Sequence, residues 1–140
     1  MSFETFTASL FCANEAEFLS VAADIPGDDW ARESFLVELP EKWRLSFALF
    51  ENGVMLGYAI MSRPELARVH LHHFMLRAGY RGAGRGSRMI NECMRRAVLA
   101  KAQILSLKVA AESHDVQRFY ARHGFLETGR EGEYLRLERA

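Results

Sequence analysis

One short segment constrains the fold of this chain more than any other feature: it reads Arg81-Gly82-Ala83-Gly84-Arg85-Gly86-Ser87. It joins an apolar run, Leu71 to Leu76, to a helical pattern from Arg88 to Lys101. Alternating glycines between a strand and a helix let the backbone approach a ligand closely. The first turn of the helix adds amide N–H groups without a helical partner and the positive end of the helix dipole. The segment therefore predicts a site for phosphate or pyrophosphate.

Three other phosphate-binding motifs do not fit this segment. A Walker A loop ends in Gly-Lys-Ser/Thr, whereas this segment continues as Gly86-Ser87-Arg88. A dinucleotide-binding loop has its third glycine one residue later and an acidic residue about 20 positions downstream, where this chain has Ser106, Leu107 and Lys108. A glycine-rich kinase loop is not followed by a helical pattern, as this segment is. Four arginines raise the positive potential at the junction: Arg77, Arg81, Arg85 and Arg88.

What remains is the pattern R-x-x-G-x-G at Arg81, Gly84 and Gly86. It resembles the acyl-CoA pyrophosphate loop of the GNAT superfamily of N-acetyltransferases. Leu76 stands five residues before Arg81, where that family has an aliphatic residue at the end of its fourth strand. The resemblance covers the chain from about Val54 onward, and the first part of the chain matches in general layout only.

A second block of sequence strengthens the resemblance. Leu105 to Val109 reads as a buried strand, and the residues after it resemble the family's short helix that bears a tyrosine and ends in Gly124-Phe125. Two blocks in this order and at this separation are more specific than either block alone. The family often has asparagine seven residues before the tyrosine and a small alanine in the helix, where this chain has Ser113 and Val116. Ser113 can still cap the helix or bind pantetheine.

Length, charge and cysteine content bound the class of protein. At 140 residues, we expect one N-acetyltransferase domain that spans residues 1–140. The formal net charge of zero gives no general attraction to nucleic acid or to an anionic membrane. No apolar run approaches the ~20 residues that cross a bilayer, and the first residues lack the pattern of a secretory signal. Cys12 and Cys93 read as reduced thiols of a cytoplasmic protein, and no metal site is predicted.

Apolar periodicity and turn signals predict the order of elements along the chain. The predicted strands are Phe3 to Ser9, Trp43 to Phe50, Val54 to Met61, Arg68 to Leu76, Leu105 to Val109, Phe125 to Thr128 and Tyr134 to Leu137. The predicted helices run from Asn14 to Ala23 with Glu17 completing a capping box, from Asp28 or Asp29 toward Glu38, from Arg85 to Lys101 with Ile90, Cys93, Met94 and Ala97 inward, and from Asp115 to His123. This order predicts a mixed α/β fold, with a central mixed sheet and helices on both faces. It matches the single-domain acyl-CoA N-acyltransferase (GNAT) fold.

The resemblance implies acetyl-CoA as the co-substrate and no metal. In the family, backbone groups at the end of strand four contact the pantetheine arm and polarise the thioester carbonyl. With the loop and the position of the family's asparagine, the implied cofactor-binding residues are Phe74, Met75, Leu76, Arg81, Gly82, Ala83, Gly84, Arg85, Gly86, Ser87 and Ser113.

His70 and His72 are the candidate general base. Residues two apart on a strand share a face, so these two imidazoles are predicted to lie side by side, with His73 pointing away. An imidazole titrates near pH 6.5 and can take a proton from a bound ammonium. The His-x-His spacing resembles that of arylalkylamine N-acetyltransferases, in which the pair relays the amine proton. Structural strand histidines are the alternative, and Glu38 and Glu112 are weaker candidates for the base.

Tyr120 is the candidate general acid. Its phenol has an ordinary pKa near 10, so it is protonated at neutral pH and can donate to a departing thiolate. The alternative is that Tyr120 is a core aromatic residue of a short amphipathic helix, a role that the neighbouring Phe119 is expected to fill. The position of Phe119-Tyr120 four residues before Gly124-Phe125, as in the family block, favours the catalytic interpretation.

These observations predict an N-acetyltransferase that moves acetyl from acetyl-CoA to an amine by direct attack. The acceptor is a small molecule or a peptide, and the His-x-His resemblance favours a small primary amine. Neither nucleic acid nor a membrane is expected as a partner, and a homodimer stays open. The alternative function is a non-catalytic module that binds acyl-CoA on the same fold.

Overall fold

The computed structural model describes residues 1–24 and 30–140. The strands are β1 (Ser2–Thr5), β2 (Phe47–Glu51), β3 (Val54–Glu65), β4 (Arg68–Leu76), β5 (Ile104–Ala110), β6 (Leu126–Glu131) and β7 (Tyr134–Arg139). The helices are α1 (Ala8–Ala13), α2 (Glu15–Ala22), α3 (Arg32–Leu36), α4 (Lys42–Leu45), α5 (Arg85–Leu99) and α6 (His114–Arg122), with a short 3-10 helix at Ala78–Tyr80. None of the helices in these described ranges has both the length and the apolar character needed to cross a bilayer.

The strands form one mixed sheet in the order β1-β2-β3-β4-β5-β7-β6. β4 and β5 run parallel, and every other neighbouring pair is antiparallel. Apolar side chains form a core on each face: Tyr58 of β3 belongs to one cluster and its neighbour Ala59 to the other. α5 packs on the face of Ala59, and the first three helices cover the face of Tyr58 with the rings of Phe11, Phe18 and Phe35. The predicted mixed sheet with helices on both faces is confirmed.

The first strand is shorter than predicted. β1 ends at Thr5, and Ser9 lies inside α1 rather than in a strand. The Thr7 hydroxyl accepts a hydrogen bond from the Leu10 amide at 3.0 Å and so caps α1. A local side-chain bond of this kind ends the extended conformation, although the alternating pattern continues beyond it.

A helix follows Asn14 as predicted, but the predicted capping box is wrong. The side-chain Nδ2 of Asn14 donates backward to the Leu10 carbonyl at 2.9 Å, and Asn14 makes no side-chain cap to α2. Glu17 instead forms an ion pair with Arg77 at 3.0 Å, which ties α2 to the end of β4. The predicted start of the second helix, at Asp28 or Asp29, lies outside the described residues.

The predicted hairpin is confirmed, but the residues before it are helical. Asn52 and Gly53 link β2 to β3 with φ angles of 53° and 78°, as a type I′ turn requires. Trp43 lies in α4 and not in a strand, because the chain makes a helical turn before β2 begins.

In α5 the predicted inward residues Ile90, Cys93 and Ala97 are buried. Met94 is partly buried against the same cluster.

Candidate active site

β4 and β5 pair only over their first halves. The pairs run from Arg68 with Ile104 to Leu71 with Leu107. Beyond Leu107, β5 pairs within the described residues with β7 alone. The parallel strands therefore diverge toward their carboxyl ends. The backbone of the second half of β4 faces a gap on the side that a paired strand would otherwise occupy.

A cavity of about 530 Å³ opens at this gap and extends to the glycine segment; we call it the loop cavity. Its lining comes from the end of β4, the glycine segment and one face of α6: Phe74, Met75, Leu76, Arg81, Gly82, Gly84, Gly86, Ser87, Asp115, Val116, Phe119, Tyr120 and Arg122. The structure thus brings together most of the residues predicted to bind acyl-CoA. Ala83 and Arg85 do not line the loop cavity, and Ser113 lines a second cavity described below.

The glycine segment forms a turn that leads directly into α5. Gly84 is the residue before the helix and has a φ of 83°, a left-handed conformation that glycine adopts without strain. The first helical bond runs from the Arg88 amide to the Gly84 carbonyl at 3.1 Å, so the amides before Arg88 have no helical partner. At Gly86 a Cβ atom would lie 3.3 Å from the Phe119 ring. The segment therefore combines unpaired amides with a close approach of α6.

The four arginines at this junction do not all add positive potential to it. Arg85 donates two hydrogen bonds to Glu51, at 2.9 and 3.0 Å, and these bonds hold the pKa of the Glu51 carboxyl below its usual range. Arg77 bonds to Glu17 and to the Met55 carbonyl. The potential from these two arginines is therefore largely neutralised, and the predicted fourfold contribution is wrong.

Tyr120 lies where the loop cavity meets the gap between β4 and β5. Its ring packs against Phe74, Phe119 and Phe125, with centroid distances of 6.2, 5.2 and 5.5 Å. Burial raises the pKa of the hydroxyl above its ordinary value, so the group keeps its proton at neutral pH. Among the described residues the hydroxyl has no hydrogen-bond partner, yet no buried side-chain polar atom there lacks one. The hydroxyl therefore reaches open space.

A second cavity, of about 440 Å³, lies on the other side of Tyr120; we call it the histidine cavity. It shares four lining residues with the loop cavity: Phe74, Met75, Val116 and Tyr120. His72, His73 and Trp30 line its wall, together with Ser113 and Tyr134. The two cavities therefore meet at Tyr120 and at the end of β4.

β4 contains a β-bulge at His72. Ile60 of β3 pairs with His73, and the next residue, Met61, pairs with Leu71, so His72 is an extra residue without a backbone pairing partner in β3. An extra residue of this kind shifts the alternation of side chains by one position. Side chains that simple alternation would place on opposite faces then lie on the same face.

The bulge overturns the prediction that His73 points away from His70 and His72. The Nδ1 atom of His73 is 2.8 Å from the Tyr58 hydroxyl, and its ring stacks on Trp30 at a centroid distance of 4.3 Å. These contacts place His73 in the same cavity wall as His72. Two neighbouring histidines therefore face the histidine cavity.

His70 and His72 lie side by side as predicted. Their ring centroids are 4.8 Å apart, and the rings meet edge to face. Each ring is hydrogen-bonded to a buried serine: His72 Nε2 lies 2.6 Å from the Ser62 hydroxyl, and His70 Nδ1 lies 2.8 Å from the Ser106 hydroxyl. His72 lines the histidine cavity and His70 does not. His72 is therefore the member of the pair that borders this cavity.

Both imidazoles are weaker bases than a free histidine. Burial, followed by the charges of His72, Lys108, Arg68 and Arg136, lowers the pKa of His70 to about 4. Burial, followed by the charge of Lys42, also lowers the pKa of His72. Both rings are therefore neutral at pH 7 and keep a lone pair for a proton, but neither holds that proton strongly.

Comparison with known proteins identifies the family. The family model described as "Acetyltransferase (GNAT) family" matches residues 12–125. The chain belongs to this family. It is an acetyl-CoA-dependent N-acetyltransferase, as the resemblance of the two sequence blocks implied. No curated protein matches the sequence significantly.

Solved structures share the fold of this GNAT acetyltransferase at low sequence identity. The ribosomal-protein-S18-alanine N-acetyltransferase from Escherichia coli gives a TM-score of 0.83 at 16% identity, over 99% of this chain and 92% of that one. Arabidopsis thaliana Naa50, in complex with the bisubstrate analogue CoA-Ac-MVNAL, gives 0.78 at 15%, over 99% and 97%. The PaiA N-acetyltransferase from Thermoplasma acidophilum, in complex with coenzyme A, gives 0.76 at 15%, over 99% of both chains.

The loop cavity of this GNAT acetyltransferase fits its co-substrate. The glycine segment offers unpaired amides for a pyrophosphate, and the gap leaves the β4 backbone open to an extended amide-bearing arm. The rings of Phe74 and Phe119 give the remaining wall an apolar surface. The loop cavity therefore combines unpaired amides at Gly84 and Gly86 with an apolar wall that extends to Tyr120.

Sequence reasoning missed Gln117 and Lys42, two residues that line neither cavity but fix elements beside the site. Gln117 donates two hydrogen bonds to the Ala110 and Ala111 carbonyls, at 3.1 and 2.9 Å, and fixes the turn between β5 and α6. Ser113, by contrast, was expected to cap α6 or to bind pantetheine, and it stands before α6 without a side-chain cap. Lys42 is buried and donates to the carbonyls at the end of α3, the helix that follows Trp30. No local sequence pattern marks Lys42 or Gln117, because the role of each depends on its tertiary contacts.

Proposed function

We propose that this enzyme acetylates a primary amine that enters through the histidine cavity and meets the thioester at Tyr120. The observation that carries the proposal is the junction of the two cavities at Phe74, Met75, Val116 and Tyr120. An amine in the histidine cavity and a thioester in the loop cavity come together there. Holding two reactants side by side lowers the barrier before any acid or base acts.

Acetyl-CoA supplies an activated acetyl group whose carbonyl carbon is open to attack by the amine nitrogen. The backbone of β4 at Phe74, Met75 and Leu76 borders this point on the side that β5 leaves unpaired. Fixed N–H donors at such a position stabilise the negative charge that develops on the carbonyl oxygen. The side chains of these three residues form the wall, and their backbone supplies the polar groups.

His72 is our candidate for the proton acceptor, with His70 behind it. The acceptor arrives as an ammonium, and one proton must leave before its nitrogen can attack. His72 faces the histidine cavity and is neutral at pH 7, so it can take this proton. Transfer onward to His70, whose pKa is about 4, is unfavourable at equilibrium. His70 therefore acts as a transient carrier or as a support for His72.

Tyr120 is our candidate for the proton donor. Tyr120 lines both cavities, and its hydroxyl is protonated at neutral pH. When the bond between the acetyl carbon and sulfur breaks, the electron pair leaves with sulfur, and the phenolic proton neutralises the thiolate. The phenol is then restored by a proton from solvent or from the histidine cavity.

The residues that line the histidine cavity indicate the kind of acceptor that it can hold. Its lining includes two aromatic residues, Trp30, which stacks on His73, and Tyr134, which is 53% exposed. Aromatic surfaces of this kind accept an apolar substituent or a cation. A small arylalkylamine and a peptide N-terminus both match this description. Two proteins with the same fold, the ribosomal-protein-S18-alanine N-acetyltransferase and Naa50 with its peptide-bearing bisubstrate analogue, support the peptide amine as the second candidate.

A thiol-release assay over a panel of amines tests the proposal. The panel contains arylalkylamines, a polyamine and short peptides with free N-termini, each with acetyl-CoA and with a no-acceptor control. We expect acceptor-dependent thiol release for a monoamine with an aromatic or apolar substituent. Trp30→Ala should raise the KM for this acceptor and leave binding of acetyl-CoA unchanged, because Trp30 lines the histidine cavity only. Binding of acetyl-CoA without transfer to any amine would instead favour the non-catalytic module.

A further inference from the structure

Three basic side chains gather at the end of α6, beside the loop cavity. Arg122 lines the cavity, and the Nε2 atom of His123 lies 3.1 Å from the Ser87 hydroxyl in the first turn of α5. The side chain of Arg139 crosses Gly124, with its Nε atom 2.8 Å from where a Cβ would stand. We call Arg122, His123 and Arg139 the α6 basic cluster.

The charges of the α6 basic cluster are not balanced by acidic groups. Within residues 1–24 and 30–140, neither Arg122 nor Arg139 forms an ion pair, whereas Arg85 pairs with Glu51 and Arg118 with Asp115. Burial, and then the charges of Arg122 and Arg139, lower the pKa of His123. Two unbalanced guanidinium charges, with an imidazole between them that they hold neutral, would be stabilised by a bound anion beside the cavity.

The cluster lies one side chain beyond the glycine segment. Phe119 packs against Gly86, and the guanidinium of Arg122 lies 6.0 Å from the centre of the Phe119 ring. A pyrophosphate at the segment therefore leaves the cluster available for another phosphate. Coenzyme A carries one more, a phosphate monoester on the 3′ oxygen of its ribose. Such a monoester has a charge between −1.5 and −2 at neutral pH and accepts paired hydrogen bonds from arginine.

We propose that the α6 basic cluster binds the 3′-phosphate of coenzyme A, and that the enzyme thereby prefers CoA thioesters to their 3′-dephospho analogues. Arg122 supplies the main contact because it alone of the three lines the cavity. His123 is held in place by Ser87, and Arg139 adds charge from β7. The binding concerns affinity for the co-substrate and leaves the chemistry at Tyr120 unchanged.

Titration calorimetry with coenzyme A and with 3′-dephospho-coenzyme A tests this proposal without catalysis. We expect the wild-type protein to bind coenzyme A at least roughly tenfold more tightly, the usual effect of one charged hydrogen bond. Arg122→Gln should weaken binding of coenzyme A and leave binding of the dephospho form unchanged. Arg118→Gln, on the same helix but paired with Asp115, is the matched control and should keep the preference. Inorganic phosphate should compete with coenzyme A and not with the dephospho form.

The ring of His123 gives a second measurement that needs no variant. A bound 3′-phosphate should raise the pKa of His123 in an NMR titration, and 3′-dephospho-coenzyme A should not. Equal affinity of the wild-type protein for the two ligands would overturn the proposal. An equal loss for both ligands in Arg122→Gln would do so too, since it would assign Arg122 to the pyrophosphate.

Discussion

The hydroxyl of Tyr120 is the group whose removal should separate binding from chemistry. Tyr120→Phe keeps the ring contacts with Phe74, Phe119 and Phe125 and removes only the proton donor. We expect unchanged affinity for acetyl-CoA and a kcat lower by about 100-fold, as for the loss of a general acid. Steady-state kinetics together with calorimetry measures both.

Tyr134→Phe is the matched control, because Tyr134 lines the histidine cavity but not the loop cavity. It should alter the KM of the acceptor at most. An unchanged kcat in Tyr120→Phe, with the chemical step shown to limit turnover, would assign Tyr120 to the core.

The pH dependence of turnover should report the weakened basicity of the two histidines. Because burial lowers the pKa of both rings, the acid limb of the kcat profile should lie below pH 6.5, the value expected for a free imidazole. His72→Gln should lower kcat at neutral pH and regain part of it at high pH, where the acceptor is already deprotonated. Initial-rate assays from pH 5 to 10 measure the kcat profile.

His70→Gln should cost less than His72→Gln, since only His72 lines the histidine cavity. If the two rings act as a unit, the double variant should cost little more than the worse single one. Unaltered profiles in all three variants would leave deprotonation to water and give the histidines a structural role.

The strands of the active site were largely predictable, but the bulge in β4 was not. The sequence His70-Leu71-His72-His73 alternates cleanly enough to predict one face for His70 and His72, and these two rings do meet. A bulge depends on how β4 pairs with β3, which the sequence of β4 alone does not contain. The place of His73 in the histidine cavity could therefore only come from the structure.

The glycine segment, unlike the bulge, could be predicted from the sequence. Gly84 needs its left-handed conformation, and Gly86 needs a small side chain beside Phe119, so both requirements are visible in the sequence itself. The N-terminal elements were harder to predict, because Thr7 ends β1 through a single hydroxyl. The neutralisation of Arg85 was hidden because its partner, Glu51, lies 34 residues away in the chain.

The turn before α5 should be intolerant of a branched side chain. At Gly84, valine in a left-handed conformation costs roughly 1–3 kcal/mol of backbone strain. We expect Gly84→Val to displace the unpaired amides of the segment and to abolish the rise in melting temperature that acetyl-CoA gives the wild-type protein. Thermal shift with and without acetyl-CoA measures the change.

Gly79→Val is the matched control, because no atom lies within 4 Å of a Cβ at Gly79 and its φ is not in the left-handed range. Its ligand-induced shift should match that of the wild-type protein. A full shift in Gly84→Val, or a shift given by NAD or ATP and not by acetyl-CoA, would contradict the assignment of the segment.

The free energy of unfolding of the whole molecule should decrease as the pH falls, before the carboxylates begin to titrate. The pKa of His70 is about 4 in the native state and near 6.5 in the unfolded chain, so the unfolded state takes up its proton first as pH falls. The contribution of neutral His70 is therefore complete above about pH 6.5 and is lost between pH 6.5 and 4. We expect the melting temperature to decline over this window.

His70→Gln should make that decline shallower, and His114→Gln, which alters an exposed histidine at the start of α6, should not. Differential scanning calorimetry at half-unit pH intervals measures the slopes. Equal slopes for the wild-type protein and His70→Gln would mean that His70 is protonated without penalty in the folded state.

The junction of the loop cavity and the histidine cavity has a kinetic consequence. Apart from the four residues that they share, the two cavities have separate linings, so the donor and the acceptor need not displace each other. Neither Cys12 nor Cys93 lines either cavity, which leaves no thiol there to store the acetyl group between two half-reactions. Double-reciprocal plots should accordingly intersect rather than run parallel, and a single molecule that joins the two substrates should compete with each of them.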